Sequence, residues 1–281
     1  MNYFISVYEL GFYFFISSFL GWMLESLLNT LRQKTFVNRG FLVGPYCPIY
    51  GVGMCSLYLL CFPIRTQLPI IFFSGMLFAT LLEYLTGLFM EKLFHARWWD
   101  YSRFKYNVHG YICLHISLIW GILAVIFIGY IHPIIIHLVT LISTQISIFL
   151  LDILCLLFII DFIYSIRIAF KLTNKFPALA DIRLEMITFL EQCKFYETAE
   201  EFKLRFELKK VPYKVTDVLT SLKEQLPKNT NSSKAQLHDL LAIKLSKYHS
   251  QLNKFTLAEK RLLKAFPSLS LSSSKNLRKK S

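Results

Sequence analysis

Charged side chains are absent from long stretches of this sequence. No Lys, Arg, Asp or Glu occurs from residue 106 to residue 151, and the first 170 residues hold nine basic and seven acidic residues. The 281-residue chain is 54% hydrophobic with a mean hydropathy of +0.46, whereas a soluble domain is usually about 45–50% apolar. Since the apolar runs before residue 171 are long enough to cross a bilayer, the composition excludes an ordinary soluble domain and predicts a polytopic membrane protein.

Several catalytic and metal-binding motifs are also missing. None of the six cysteines falls in a CxxC pair, so no disulfide framework is implied. No P-loop sequence occurs, which excludes ATP hydrolysis by a P-loop of this chain. No nucleophile elbow occurs either, so no motif supports a catalytic Ser or Cys nucleophile. We predict no metal and no cofactor, because no zinc signature matches the spacing of Cys47, His95, His109, Cys113 and His115.

The predicted fold is all-α, a transmembrane helical bundle over residues 1–170. Residues 132–145 are apolar as well, but they are few and end in a polar Ser-Thr-Gln run. We expect an external interfacial or re-entrant segment there, because a sixth span would move the basic tail to the outside. The five predicted spans are at about residues 4–28, 46–62, 68–90, 111–131 and 146–170.

The basic residues predict the orientation in the membrane. The four successive loops hold three, one, four and no Lys or Arg, and many follow in the tail. Loops rich in Lys and Arg stay in the cytoplasm. We therefore expect a multi-pass protein of the cell (plasma) membrane whose N-terminus is outside and whose C-terminus is cytoplasmic.

Residues 171–281 form a basic tail with 22 Lys and Arg against 11 Asp and Glu. This charge fits a cytoplasmic segment beside anionic lipid headgroups, and no aromatic–basic RNA motif supports a nucleic-acid partner. Apolar stripes with 4-3-4-3 spacing begin at Ile182 and Leu241 and predict a helical hairpin or short coiled coil over residues 171–267. The Ser- and Lys-rich residues 268–281 are predicted to be a disordered basic end.

Carboxylates inside apolar spans are costly and therefore mark candidate functional residues. We expect mutual pairing, with Glu83 bound to Arg39 or Arg97, because an unpaired buried carboxylate would protonate. Two interpretations remain open: an ion pair that only fixes helix register, or a polar path or acid–base site that opens to the cytoplasm. The candidate cluster contains Glu25, Arg39, Glu83, Glu91, Arg97 and Asp100.

Residues 40–53, GFLVGPYCPIYGVG, are unusual for a plain span. Their Gly and Pro residues loosen a helix, which suits either the lining of a cavity or the close packing of helices. Two adjacent tryptophans after the third span are more typical of an interfacial belt than of a ligand platform. The candidate supporting residues are Tyr46, Tyr50, Trp98, Trp99, Tyr101 and Asn107.

Two strings resemble the signature of a family labelled ABC-transporter permease of the CmpB type. They are RGFLVGPYCPIYG at residues 39–51 and EKLFHARWWDYS at residues 91–102. The resemblance covers about residues 10–135, and RLLKAFP at residues 261–267 is similar to a motif that ends many members. One position departs: Tyr111 stands where the family pattern has Arg, so the charges near His109 differ here.

The resemblance implies a permease-like membrane subunit that works with a separate ATPase, and it names no substrate. Five spans would need a homo-oligomer or hetero-oligomer to enclose a path, and residues 92–105 are the natural docking site for the ATPase. Two other functions stay open. One is an intramembrane enzyme that uses Glu25, Glu83 or Asp100 as acid or base, which no catalytic motif supports. The other is a membrane scaffold or regulator that acts through its tail.

Overall fold

The computed structural model of the chain is mostly helical, with a few two-residue strands. It describes residues 6–61, 67–141 and 144–192, together with residues 243, 246–247, 250–266 and 269–271. The elements in chain order are α1 (Val7–Gln33), α2 (Pro48–Cys61), α3 (Leu68–Phe94), β1 (Ala96–Arg97), β2 (Asn107–Val108), β3 (Ile112–Cys113), α4 (Leu114–Ile126), π1 (Phe127–Ile131, a π-helix), α5 (His132–Thr140), α6 (Thr144–Gln192), α7 (Leu257–Ala265) and β4 (Ser270–Leu271).

Four helical segments are long and apolar enough to cross a membrane: Val7–Gln33, Leu68–Phe94, Leu114–Val139 and Gln145–Ala178. The second predicted span corresponds to α2, which is apolar but has only 14 residues. At 1.5 Å per residue α2 is about 21 Å long, less than the roughly 30 Å hydrocarbon core. The described chain therefore supports a membrane protein with four candidate spans and one shorter apolar helix.

The fourth predicted span is longer in the structure than the sequence suggested. The helix that begins at Leu114 continues through π1 and α5 to Thr140 without a break. Pro133 directly follows the first residue after π1, and a proline inside a membrane helix is tolerated where a local π-helical turn adjusts the hydrogen bonds around it. Residues 132–140, for which we expected an interfacial or re-entrant segment, instead extend this helix.

Contacts divide the chain into two compact units. The first contains Met1–Lys92 and Trp99–Arg167, and the second contains Leu93–Trp98 and Ile168–Ser281. In the first unit α1 packs along α2 and also contacts α5. Its core is made of apolar and aromatic side chains from α1, α2, α3, α4, π1 and α5. They are Phe12, Tyr13, Leu57, Tyr58, Ile71, Ala124, Phe127, Ile128, Ile135 and Val139.

The second unit joins the C-terminal motif to residues that follow α3. β4 pairs antiparallel with β1, and the buried Trp98 ring meets Phe266 edge to face at 5.0 Å. Lys175 on α6 binds both carboxylate oxygens of Glu259 on α7, at 2.8 and 2.7 Å. Most of the hairpin predicted over residues 171–267, and residues 272–281, lie outside the described residues.

Candidate functional site

Glu83 lies in α3, inside a candidate span, and only 6% of its surface is exposed. Its Oε1 accepts a hydrogen bond from the Tyr101 hydroxyl at 3.0 Å, and its Oε2 accepts one from the Trp120 indole N–H at 3.1 Å. Tyr101 belongs to the segment between α3 and α4, and Trp120 belongs to α4. Two uncharged donors from two elements therefore satisfy this carboxylate.

Glu25, near the C-terminal end of α1, forms the second acidic centre of the first unit. The Tyr50 hydroxyl donates to its Oε1 at 2.9 Å, and Arg39 Nε lies 3.7 Å from its Oε2. The Tyr50 and Trp120 rings are 5.5 Å apart at their centroids. Because Trp120 also binds Glu83, the aromatic pair connects the two carboxylates. We name the set Glu25, Arg39, Tyr50, Glu83, Tyr101 and Trp120 the polar centre.

The pairing of Glu83 differs from the sequence-based expectation. Arg39 contacts Glu25, and Arg97 belongs to β1 in the second unit. Within the part of the chain that the structure describes, no Lys, Arg or His is paired with Glu83. Helix periodicity predicts the face of α3 on which Glu83 lies, but it does not predict which residues of other elements pack against that face. For this reason Tyr101 and Trp120 were not predicted to be the partners of Glu83.

The loop that precedes α2 is held by Asp161, which was not among the predicted site residues. Its two carboxylate oxygens accept hydrogen bonds from the backbone amides of Val43 at 3.0 Å and Gly44 at 2.7 Å. The Ser165 hydroxyl, one helical turn further on, donates to the same group at 3.0 Å. A Cβ at Gly44 would lie 2.9 Å from the Asp161 carboxylate, so the glycine permits this close approach. The signal was visible in the sequence, because Asp161 is a mid-span carboxylate and such a group needs hydrogen-bond donors when it is buried.

Glu91 is bound by Tyr111, which stands where the resemblance led us to expect Arg. The Tyr111 hydroxyl donates to Glu91 Oε2 at 2.8 Å, and the Tyr111 carbonyl accepts from the Trp99 indole N–H at 2.9 Å. A phenol therefore binds Glu91 at this position. The Trp99 side chain therefore forms a hydrogen bond within the segment between α3 and α4, and it does not form an open aromatic platform for a ligand.

The segment between α3 and α4 folds into a tight turn supported by its own polar side chains. Asn107 donates to the Phe104 carbonyl at 2.8 Å, and the Asp100 carboxylate accepts from the Ser102 backbone N–H at 2.9 Å. Residues 102–106 and 108–109 are exposed. They present two cations and two aromatic rings to the surroundings: Arg103, Phe104, Lys105 and Tyr106. We name residues 102–109 the exposed turn.

A cavity of about 40 Å³ lies between α2, α3 and α4 in the first unit. Its walls are apolar except at one end, where Tyr50, Glu83 and Trp120 of the polar centre line it. Apolar walls exclude competing hydrogen bonds and strengthen the electrostatic interactions at the polar end. This volume exceeds the roughly 10–15 Å³ that one water molecule needs.

Two ionisable side chains beside the membrane helices keep their protons at neutral pH. Burial, with a further contribution from the Glu83 carboxylate, raises the pKa of Tyr101 well above its usual range. Tyr101 is therefore a hydrogen-bond donor to Glu83 at physiological pH. Burial chiefly, and Glu25 to a smaller extent, raises the pKa of the Cys47 thiol to about 12, so this cysteine is a poor nucleophile.

The predicted site residues are thus only partly brought together. Glu25, Arg39 and Glu83 meet in the polar centre with Tyr50 and Tyr101. Glu91 pairs with Tyr111, while Asp100 and Asn107 bind the backbone of the exposed turn. Tyr46 packs edge to face with Phe15 and Phe158. Arg97 and Trp98 belong to the second unit.

Comparison with known proteins gives one match. Residues 12–166, a little more than half of the chain, match the family described as "Putative ABC-transporter type IV". No curated protein and no solved structure matches the chain. All residues of the polar centre lie within the matched segment.

Proposed function

Since this chain belongs to the family described as "Putative ABC-transporter type IV", we propose that it is the permease-like membrane subunit of a transport system that works with a separate ATPase. The candidate membrane spans fit this role.

The hydrogen bond from Tyr101 to Glu83 is the observation that carries the proposal. Tyr101 directly precedes the exposed turn, while Glu83 is buried inside an apolar helix that is long enough to span a membrane. A subunit driven by an ATPase must transmit a change at its surface to groups in its interior. Such a change can reach Glu83 through this hydrogen bond, because a displacement of the turn moves the Tyr101 hydroxyl that donates to Glu83.

The side chains of the exposed turn suit a partner protein whose surface carries carboxylates and a pocket for an aromatic ring. Arg103 and Lys105 are cations that can pair with carboxylates of a partner, and Tyr106, with 78% of its surface exposed, is a large aromatic anchor. Arg and Tyr are enriched at the energetic centres of protein interfaces. We therefore place the ATPase on this turn, within the loop at residues 92–105 and its continuation.

Our proposal includes a cytoplasmic position for the turn, the C-terminus and the basic tail, with the N-terminus outside. This orientation needs an odd number of crossings, so the proposal also has the short helix α2 cross the membrane. The distribution of Lys and Arg supports this orientation. A single-cysteine label at Asn2 should react with an impermeant reagent in intact cells, and one at Ser281 should not. Labelling of both positions from outside would contradict the orientation.

Purification of the intact chain tests the function itself. We expect a mild-detergent extract to yield the chain together with a nucleotide-hydrolysing subunit, identified by mass spectrometry and by ATP turnover in the eluate. Release of the partner should abolish that turnover, since the chain has no P-loop of its own. Purification of the chain at normal yield without any ATPase would favour an enzyme or a scaffold instead.

A further inference from the structure

The cavity in the first unit is built by one face of each helix that lines it. On α2 and on α3 the lining residues recur at intervals of three and four positions, so they share one side of the helix. A glycine keeps part of this space open: a Cβ at Gly53 of α2 would contact only Leu82 of α3, at 3.4 Å, among the residues that the structure describes. The volume of about 40 Å³ is about three times the 10–15 Å³ that one water molecule needs. The cavity therefore has room for a molecule of a few non-hydrogen atoms.

The polar end of the cavity lacks a counter-charge for Glu83. The polar centre has two carboxyl groups, Glu25 and Glu83, and one guanidinium, Arg39, which lies at Glu25. Among the described residues Glu83 receives only the uncharged donors Tyr101 and Trp120. A charge in an apolar environment is costly unless a counter-charge accompanies it. A cation that enters the cavity would supply that counter-charge.

Aromatic rings stand beside this carboxylate. Tyr50 and Trp120 line the cavity together with Glu83, and their ring centroids are 5.5 Å apart. Phe78, five residues before Glu83 on α3, adds a third ring to the walls. Aromatic rings attract cations over their faces, most strongly in the case of Trp and where water is excluded. The carboxylate and the rings together favour a positively charged ligand.

The remaining walls decide which kind of cation fits. Their side chains offer no oxygen ligand: Ile49, Gly53, Met54, Leu57, Gly75, Phe78, Ala79, Leu82 and Ala124. A bare alkali-metal ion needs several oxygen ligands in place of its hydration shell, and the lining side chains offer it only those of Glu83 and Tyr50. An alkylammonium ion suits these walls better, because its N–H groups donate to the carboxylate while its alkyl group contacts apolar side chains.

We propose that the cavity between α2, α3 and α4 binds a small primary alkylammonium ion, of the size of methylammonium, with its nitrogen at Glu83. Glu83 supplies the counter-charge, Tyr50 and Trp120 supply the aromatic rings, and Gly53 leaves room for the alkyl group. The inference deepens the proposed function, on which it rests for its purpose, because it names a substrate class for the permease-like subunit.

Equilibrium binding of radiolabelled methylammonium tests the proposal on the full chain in nanodiscs of zwitterionic lipid, without any ATPase. We expect one saturable site per chain. Ammonium should compete for it. Methanol, which is as small but uncharged, and tetramethylammonium, which is larger and has no N–H group, should not compete. Glu83→Gln should weaken binding about 30-fold or more, as expected when one partner of a buried charge pair is lost.

Gly53→Val tests the space without a change at the carboxylate. The methyl groups of valine would occupy the cavity beside Leu82, so the binding of methylammonium should be lost while the chain still folds. Gly129→Val is the matched control, because a Cβ at Gly129 would have no neighbour within 4 Å among the described residues. Its affinity for methylammonium should equal that of the unsubstituted chain. Should Gly53→Val prevent folding, the comparison with Glu83→Gln decides.

The absence of saturable binding to the unsubstituted chain, or equal binding by Glu83→Gln, would overturn the proposal. Competition by methanol as strong as that by ammonium would also overturn it, because the cavity would then accept any small molecule. No readout involves ATP. A chain that binds methylammonium but purifies without an ATPase contradicts the proposed function alone, and a chain that purifies with an ATPase but binds no methylammonium contradicts this inference alone.

Discussion

The hydroxyl of Tyr101, in the segment between α3 and α4, donates a hydrogen bond of 3.0 Å to the carboxylate of Glu83 in α3. The donor adjoins the exposed turn and the acceptor is 6% exposed. This polar contact joins the surface of the first unit to its interior.

Removal of that donor should destabilise the chain measurably. Tyr101→Phe leaves Glu83 with Trp120 as its one described donor, and hydrogen bonds to charged groups contribute about 1.5–3 kcal/mol. We expect a loss of this order in the free energy of unfolding, measured by chemical denaturation in detergent micelles. Tyr106→Phe is the matched control, because its ring is in the same loop and 78% exposed. Equal stability of the two variants would show that the contact contributes nothing.

Glu83→Gln should preserve the fold and impair function. The amide oxygen of the new side chain can accept from Trp120, and its NH₂ group can donate to the Tyr101 oxygen, so each partner keeps one hydrogen bond. The carboxyl group, which can gain and lose a proton, is replaced by a group that cannot. We expect normal protein levels but lower ATP turnover of the purified complex. Glu9→Gln is the control, because the Glu9 side chain caps the first turn of α1 and glutamine can fill the same role.

A fall in protein level without a change in turnover per complex would instead assign Glu83 a purely structural role. If Glu83→Gln behaves like Glu9→Gln in both measurements, the polar centre is not a working site. Glu83→Leu should be worse than Glu83→Gln in either case, since it strands the Trp120 N–H and the Tyr101 hydroxyl in an apolar environment.

Asp161→Asn should release the loop before α2. In Asp161 each carboxylate oxygen accepts one backbone N–H, from Val43 and from Gly44. A carboxamide has only one acceptor oxygen, so asparagine cannot form both hydrogen bonds in this way. We expect a loss of about 1.5–3 kcal/mol and faster alkylation of Cys47, which is 8% exposed and whose thiol has a pKa of about 12. Asp152→Asn is the control, because Asp152 is exposed on the same helix. Unchanged alkylation of Cys47 in Asp161→Asn would contradict the anchoring role.

The ion pair in the second unit should hold the C-terminal segment. Glu259 is 1% exposed, so Lys175→Met leaves a buried carboxylate without its cation. Removal of one partner of a buried pair costs about 3–5 kcal/mol, and the partial exposure of Lys175 places the expected loss at the lower end, about 3 kcal/mol. The exposed pair of Lys247 and Glu185 provides the control, since Lys247→Met should cost about 0–1 kcal/mol. The rate of limited proteolysis near residue 256 measures how firmly the C-terminal segment is held in each variant. Equal cleavage rates in Lys175→Met and Lys247→Met would contradict this role of the buried ion pair.

The sequence predicts the elements of this protein better than their contacts. Apolar run lengths locate the candidate spans, and spacing places Glu83 on α3, because both properties are local. The continuation through Pro133 was not predicted, since a proline inside a helix ordinarily kinks or breaks it and the π-helical turn before Pro133 leaves no distinct sequence pattern. The partners of Glu83 come from residues 18 and 37 positions away in the chain, so only tertiary packing decides them. Asp161 and the loop that it holds are separated by more than 100 residues for the same reason.

Charge reversal in the exposed turn tests the central claim, which is that this chain is a membrane subunit that docks a separate ATPase. The double variant Arg103→Glu with Lys105→Glu should be compared with Lys34→Glu, which alters an exposed cation in the other strongly basic loop. The measurement is the molar ratio of ATPase to chain after affinity purification at fixed salt. Our account predicts a ratio that falls about 5- to 30-fold for the double variant, as expected when two interface charges worth about 1–2 kcal/mol together are reversed. For Lys34→Glu the ratio should stay at the wild-type value. An unchanged ratio in the double variant, or no ATPase with the unsubstituted chain, would contradict the account.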